Sequence, residues 1–266
     1  MKQIRLRDVA VMSYLDQGKG KPIVFIHAPL IGHVNFHFQL PLANEFRLII
    51  PDLRGHGSST PVRGELTMQT LADDLDELIT LLELESFCLC GYSQGGSIVL
   101  DYLLRYPGKA SCAILIGSFS EVSNLYLHSK FVIAQSLAAL NGIHVLARSI
   151  SSGHLEDSTL RTQWTRHAER TDPHTLHQLY LAGHHYHCTE LLQQITVPVA
   201  LLYGEKDDLM HQYARILEKN LQHPTLHMIP DVSHQIVTKK PVEFHSILRP
   251  FVEKNVSPTV KSPLPV

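Results

Sequence analysis

Short apolar runs, each bounded by turn residues, alternate with helical patterns along most of this chain. The runs occupy 22–27, 46–51, 87–92, 112–117, 197–204 and 225–230. They are short enough for strands and apolar on both faces, which is typical of the buried strands of a parallel sheet. Leucine spacing after Thr67, and a second pattern ending before Pro107, predict helices between them. This order predicts an α/β fold with a mostly parallel, doubly wound sheet.

Residues 119–190 interrupt the alternation, because they read as helices and polar loops without a convincing strand. A structureless loop of that length is improbable inside a compact domain. We therefore predict a helical cap at 119–190, inserted into a core formed by 1–118 and 191–254. The last residues, 255–266, include three prolines and little that could pack, so we expect a flexible tail.

Composition favours a small-molecule partner. Lys plus Arg (23) nearly balance Asp plus Glu (25), and no basic cluster suggests nucleic acid. No stretch approaches the roughly 18 apolar residues of a membrane span, and the N-terminus lacks a signal-peptide core. Cys88, Cys90 and Cys112 fall in predicted buried strands, as expected of reduced thiols in a cytoplasmic protein. We expect a monomer or homodimer.

Ser93 lies in the segment Gly91-Tyr92-Ser93-Gln94-Gly95, between a predicted strand and a predicted helix. This G-x-S-x-G pattern at a strand-to-helix turn is typical of a nucleophile elbow, in which small neighbours allow a strained, exposed serine. Helix capping alone would not explain glycine at both flanking positions. A serine hydroxyl needs a base, and the base needs an orienting acid, before it becomes a nucleophile.

Blocks along nearly the whole chain resemble the α/β-hydrolase family: "IVFIHAPLIGH", "IIPDLRGHGSS", "CGYSQGGS", "LLYGEKDD" and "IPDVSHQI", in the family's order. The resemblance implies the α/β-hydrolase fold and a nucleophile, acid, histidine order along the chain. It makes Ser93 the nucleophile and His234, after the last predicted strand, the base. Asp207, in a G-x-x-D pattern beginning at Gly204, becomes the acid.

Other residues compete for two of these roles. Asp208 is adjacent to Asp207, and Glu121 follows the preceding sheet strand, where some family members carry the acid. Among 18 histidines, His227 would point within a strand and His245 would lie on the terminal helix. Position after the last strand is what favours His234.

The resemblance also implies an oxyanion hole with two backbone N–H donors. Gln94, just after the nucleophile, supplies one. The family usually supplies the second two residues beyond the histidine that corresponds to His27, but that position here is Pro29, which has no N–H. Either Leu30 donates instead, which we expect, or the site is electrostatically weaker than usual. His27 itself is expected to brace the loop.

The predicted cap is rich in histidine and in apolar residues. Clusters such as "GHHYHC" at 183–188 invite a zinc site, but no acidic or cysteine pair has ligand spacing with them, so we expect no metal and no organic cofactor. Apolar cap residues, including Phe131 and Trp164, are expected to contact substrate together with Tyr92. Helical spacing makes core packing the competing fate of the cap residues.

These features predict a serine hydrolase that cleaves a small or medium carboxylic ester, thioester or lactone through an acyl-enzyme. A hydrolase-like receptor that binds a small ligand under its cap, with little or no turnover, is the alternative from another class, and Pro29 leaves room for it. Carbon–carbon bond hydrolysis and perhydrolysis would use the same serine and remain open as enzyme alternatives.

Overall fold

A computed structural model describes residues 1–257 and contains one twisted sheet. Within this range the strands are β1 (Lys2–Arg5), β2 (Val11–Gln17), β3 (Pro22–Ile26), β4 (Arg47–Pro51), β5 (Cys88–Tyr92), β6 (Cys112–Ile116), β7 (Val199–Gly204) and β8 (Pro224–Ile229). Each of the six apolar runs forms one of the strands from β3 to β8, and the alternating N-terminus forms β1 and β2.

The strand order is β1-β2-β4-β3-β5-β6-β7-β8. The pairs β1–β2 and β2–β4 are antiparallel, and every pair from β4–β3 to β7–β8 is parallel. Parallel neighbours end at the same edge of the sheet, so the loops after β3, β5, β6, β7 and β8 meet there. Ligands of open α/β sheets bind at this edge.

Helices cover both faces of the sheet. Outside the segment between β6 and β7, which contains α3 to α6, the helices are α1 (Met68–Leu81), α2 (Gln94–Arg105), α7 (His211–Asn220), α8 (Ile236–Lys239) and α9 (Pro241–Asn255). The 3-10 segments are Gly32–Asn44, Thr189–Gln194 and Asp208–Met210. Thr67 caps α1, because its hydroxyl accepts the Thr70 N–H at 3.1 Å. One core cluster joins α1, α2 and α7 to the sheet, and a second joins α9 and the Gly32–Asn44 segment to the opposite face.

The residues between β6 and β7 form four helices: α3 (Leu125–Ala139), α4 (Ile143–His154), α5 (Ser158–Ala168) and α6 (Pro173–His185). Asn124, Asp157 and Asp172 cap α3, α5 and α6 through their side chains. Apolar side chains of these helices join the core cluster that contains α2. Residues of α3, α4 and α6 line the same cavity as Ser93, so these helices lie over the edge at which β5 ends.

Some expectations need adjustment. The strand β8 is only partly buried, because it is an edge strand with one neighbour. The predicted tail at 255–266 begins within α9, which ends at Asn255, and its residues 258–266 lie outside the described part of the chain. Within residues 1–257, the helices are all too short or too polar to cross a bilayer. All four cysteines are buried and free.

Candidate active site

Ser93 occupies the turn between β5 and α2 with a strained backbone. Its φ of 55° and ψ of −124° lie in a region that non-glycine residues rarely enter. Such a conformation costs about 1–3 kcal/mol and persists only where the surroundings enforce it. Here the Ser93 N–H donates to Ile116 O at 2.8 Å, and Ser93 O accepts the Gly96 N–H at 2.9 Å. The turn is therefore held from both sides.

The glycines around Ser93 are required by close backbone approach. A Cβ at Gly91 would lie 2.6 Å from Gly96 N, and a Cβ at Gly95 would lie 2.3 Å from Ile26 O. Both distances are shorter than real contacts allow, so the helix start could not pack against β3 and β5 with larger residues there. The sequence pattern is thus explained by packing, and the packing exposes the serine at the edge of the sheet.

Two neighbouring loops bring Asp207 and His234 together. In the loop after β7, the Lys206 N–H donates to Val232 O at 2.9 Å. This hydrogen bond joins the loop after β7 to the loop after β8. Gly204 permits this, because a Cβ there would lie 2.1 Å from Ser233 O. The His234 Nδ1–H donates to Asp207 Oδ2 at 2.9 Å. In this tautomer the Nε2 atom of His234 carries no proton and is available as a base.

The competing acids do not contact His234. The Asp208 side chain is 88% exposed, and its Oδ1 lies 3.8 Å from His211 Nδ1. Glu121 accepts a hydrogen bond from Thr189 at 2.5 Å and lies 3.4 Å from His187. Among the three carboxylates considered from the sequence, Asp207 is the one beside the histidine.

The competing histidines also lie elsewhere. His227 is within β8, and His245 is buried in α9. Neither lines the cavity that contains His234. Burial lowers the pKa of both rings, which reflects their packing in the structure.

A cavity of about 560 Å³ lies between the sheet edge and the cap. Ser93, Asp207 and His234 all line it. Among the described residues, the Ser93 hydroxyl makes no hydrogen bond to His234; in free enzymes this contact is often long and tightens in the substrate complex. The upper wall is mostly apolar and is formed by residues of α3 and α4 with one of α6: Phe131, Ile133, Ala134, Leu137, Val145, Leu146, Ile150 and Tyr180.

The three residues expected to contact substrate have different environments. Tyr92 and Phe131 line the cavity. The Tyr92 hydroxyl donates to His234 O at 3.2 Å, so it also holds the histidine loop. Trp164 does not line the cavity, contrary to our prediction. It is 1% exposed and packs behind His154, with ring centroids 5.5 Å apart, which makes it a core residue of the cap.

The prediction that the Leu30 N–H donates to the oxyanion is wrong. Its N–H donates to His56 Nε2 at 2.9 Å, and the residue is fully buried. The Ala28 N–H donates to Asn35 Oδ1 at 3.2 Å, and Pro29 between them has no N–H. Gln94 is the first residue of α2, where backbone N–H groups have no intrahelical partner. Unpaired backbone N–H groups are therefore found at the helix start rather than in the loop after β3.

Two buried neutral histidines fix that loop. His27 Nδ1–H donates to Ala28 O at 2.8 Å, and its Nε2 accepts the Leu53 N–H at 2.9 Å. His56 is arranged in the same way between Arg54 O and the Leu30 N–H. Burial and the neighbouring His56 lower the pKa of His27 from 6.5 to about 3. His27 thus braces the loop, as expected, because both of its ring nitrogens are occupied by backbone groups.

His154 is a cavity residue that the sequence did not single out. It lies at the end of α4, with its ring 5.9 Å from the Tyr92 ring and its Nδ1 3.1 Å from Thr238 Oγ1. Burial, with smaller effects from His234 and Lys239, lowers its pKa to about 3, so the ring is neutral. Only the fold brings it beside residue 92, and its sequence position among many cap histidines carries no such signal.

A model of the family described as "Serine aminopeptidase, S33" matches residues 37–241, most of the chain. The chain belongs to this α/β-hydrolase family. It has the predicted fold: a mostly parallel doubly wound sheet with an inserted helical cap.

Individual relatives of this hydrolase agree with that placement. A non-heme chloroperoxidase of Kitasatospora aureofaciens is 38% identical over 120 residues, which cover 44% of this chain and only 43% of that protein. A non-heme haloperoxidase of Rhodococcus erythropolis is 25% identical over 95% of this chain and 100% of its own. The structure of an esterase from Exiguobacterium antarcticum superposes with a TM-score of 0.86 at 22% identity, covering 95% and 99% of the two chains.

The depressed pKa of His27 predicts a pH-dependent stability. Below about pH 6.5 the His27 ring binds a proton in the unfolded chain but not in the folded chain. The free energy of unfolding therefore falls as the pH drops toward 3. The variant His27→Gln lacks this penalty but loses packing and a hydrogen bond. We expect the stability difference between parent and variant to shrink by about 2 kcal/mol between pH 7 and pH 5.

Urea unfolding at the two pH values measures this difference. His37→Gln, at an exposed position, is the control and should follow the parent. If the difference in unfolding free energy between the parent and His27→Gln stays constant with pH, the folded protein accepts the proton at His27.

Pro29 predicts that an added N–H accelerates the hydrolase. Pro29→Ala keeps a compatible backbone conformation and introduces a donor at the cavity wall. Because removal of one oxyanion donor typically costs about 10²- to 10³-fold, we expect kcat on a p-nitrophenyl ester to rise about tenfold or more, with KM little changed. The exposed Pro41→Ala is the control. An unchanged kcat in Pro29→Ala would contradict the missing-donor explanation.

Proposed function

We propose that this hydrolase cleaves small or medium carboxylic esters, including thioesters or lactones, through an acyl-enzyme on Ser93. The observation that carries the proposal is the 2.9 Å hydrogen bond between His234 Nδ1 and Asp207 Oδ2 in a cavity that Ser93 also lines. The side chains of Asp207 and His234 are 8% and 26% exposed, so the pair is partly shielded from water. Such an arrangement serves nucleophilic catalysis.

In the proposed mechanism, His234 Nε2 takes the Ser93 hydroxyl proton as Oγ attacks the ester carbonyl carbon. Asp207 stabilises the imidazolium that forms and keeps its Nδ1–H directed away from the serine. The tetrahedral intermediate then collapses, and the imidazolium gives its proton to the departing alcohol. Water enters, loses a proton to His234, and releases the carboxylic acid and free Ser93 by the reverse steps.

In this proposal the developing oxyanion lies at the start of α2. There the Gln94 N–H and the helix dipole both favour negative charge. Gln94 is held firmly, because its side-chain Nε2 donates to Leu179 O on the cap at 2.6 Å and the residue is 2% exposed. The cap therefore helps to fix the donor. Pro29 supplies no N–H. We therefore propose that stabilisation of the oxyanion depends more on the start of α2 here than it does in an oxyanion hole with donors from two loops.

The cavity supports an apolar acyl or alcohol group as part of the substrate. Its cap wall consists mainly of aliphatic and aromatic side chains of α3 and α4, and its catalytic floor is polar. Burial of each CH₂ group in such a wall contributes about 0.8 kcal/mol. We therefore expect p-nitrophenyl butyrate to have a lower KM than p-nitrophenyl acetate.

Replacement of Ser93 tests the proposed chemistry. We expect Ser93→Ala to lower kcat on p-nitrophenyl butyrate by at least about 10³-fold, because the change removes the hydroxyl on which the proposed acyl-enzyme forms. Ser136→Ala, on an exposed turn of α3 outside the cavity, is the matched control and should keep parent activity.

The same assay distinguishes a receptor from an enzyme. If the parent turns over no ester of any chain length while circular dichroism shows it folded, the proposed esterase activity is wrong. If the parent is active and Ser93→Ala is equally active, the acyl-enzyme on Ser93 is wrong.

Perhydrolysis is a second candidate, because two of the relatives carry the names chloroperoxidase and haloperoxidase. In this reaction hydrogen peroxide attacks the acyl-enzyme in place of water, so that a carboxylic acid and hydrogen peroxide yield a peracid and water. Peracetic acid formed from acetate and hydrogen peroxide, and lost in Ser93→Ala, would support it.

A further inference from the structure

Three potential metal ligands from distant parts of the chain meet beside the cap. His33 is the second residue of the 3-10 segment Gly32–Asn44, Asp52 follows β4, and His167 lies on α5 of the cap. One ligand atom of each residue lies within 4.8 Å of the other two. Two belong to the core and one to the cap, so the cluster bridges the two parts.

The separations between Asp52 and the two histidines are close to those between ligands in a common metal polyhedron. His33 Nδ1 lies 3.0 Å from each Asp52 carboxylate oxygen, and His167 Nε2 lies 3.4 Å from Asp52 Oδ1. Zinc bonds of 2.0–2.1 Å give a tetrahedron whose ligand atoms are about 3.3 Å apart. The 3.4 Å separation is long for an N–H···O hydrogen bond but suits two ligands of one ion.

The surroundings leave room for this cluster and keep its carboxylate shielded. A Cβ at Gly32 would lie 2.4 Å from His167 Nε2, and a Cβ at Gly57 would lie 2.2 Å from Asp52 Oδ2. The Asp52 side chain is 1% exposed, whereas the His33 and His167 side chains are 20% and 11% exposed. The carboxylate is therefore buried, and the imidazoles leave a path from solvent.

A backbone hydrogen bond also fixes the orientation of the Asp52 carboxylate. The backbone N–H of His33 donates to Asp52 Oδ1 at 2.7 Å and orients the carboxylate. Outer contacts of this kind position the ligands of metal sites.

We propose that His33, Asp52 and His167 form a site for a divalent first-row transition metal of zinc-like chemistry, with solvent completing the coordination. Two imidazoles and one carboxylate suit Zn²⁺, whereas Mg²⁺ and Ca²⁺ prefer all-oxygen ligands. The ion replaces the hydrogen bonds between the histidines and Asp52 with coordinate bonds.

The site fastens the cap to the core. His167 is anchored to α5, and the loop that carries His33 continues from Pro29 at the cavity wall. Thr171, just after α5, donates its hydroxyl to Leu30 O at 3.1 Å and already joins the same two parts. Metal binding at this position stabilises the folded chain by mass action and leaves the serine chemistry independent of the metal.

Zinc titration of the tag-free, chelator-treated full chain tests the proposal, with a chromogenic chelator as competitor. We expect one equivalent of Zn²⁺ to bind and to raise Tm. His33→Ala and His167→Ala should each weaken this binding at least tenfold and remove the Tm shift. His128→Ala is the matched control, because His128 pairs with His184 on the exposed cap, 2.9 Å apart, and should not alter either readout.

Cobalt absorption provides a measurement that needs no variant. Co²⁺ in the unchanged chain should show the intense visible bands of tetrahedral coordination. Three results would each overturn the proposal. They are weak octahedral bands, zinc affinities of both site variants that fall by less than tenfold, and loss of zinc binding in His128→Ala. Octahedral bands would exclude the proposed coordination, and either variant result would assign zinc binding to other histidines.

Discussion

The backbone of Ser93 is the constraint on which the rest of the site depends. A serine with φ of 55° is unfavourable by itself. It is maintained because β5 is hydrogen-bonded on both sides and α2 packs directly against β3 and β5. Gly91 and Gly95 make that approach possible. The energy of a large buried sheet thus enforces one local conformation, which presents a hydroxyl and a helix N-terminus to the same cavity.

The two sides of the nucleophile differ in their polar chemistry. On the helix side, the Gln94 N–H is available and the residue is clamped to the cap. On the β3 side, buried neutral His27 and His56 use the N–H groups of Leu53 and Leu30 for structure. Pro29 adds none. The loop is rigid, but its rigidity comes from hydrogen bonds that leave no donor for a substrate among residues 28–30.

Much of this organisation is predictable from sequence, and the remainder is not. Apolar runs predict the sheet because buried parallel strands need them, and the position of His234 after the last run places it at the right edge. The failure at Leu30 arose because counting along a loop does not reveal which N–H another buried side chain captures. Trp164 was misplaced because helical spacing does not distinguish the underside of a cap from its core. His33, Asp52 and His167 meet only through tertiary packing.

The account depends most on the reactivity of one hydroxyl, which a covalent label measures directly. A fluorophosphonate should attach in a single equivalent, and mass spectrometry should place it on the peptide that contains Ser93. The rate of labelling should fall sharply in His234→Ala, since the base would be absent. A label on a different peptide, or an equal rate without the imidazole of residue 234, would contradict the account.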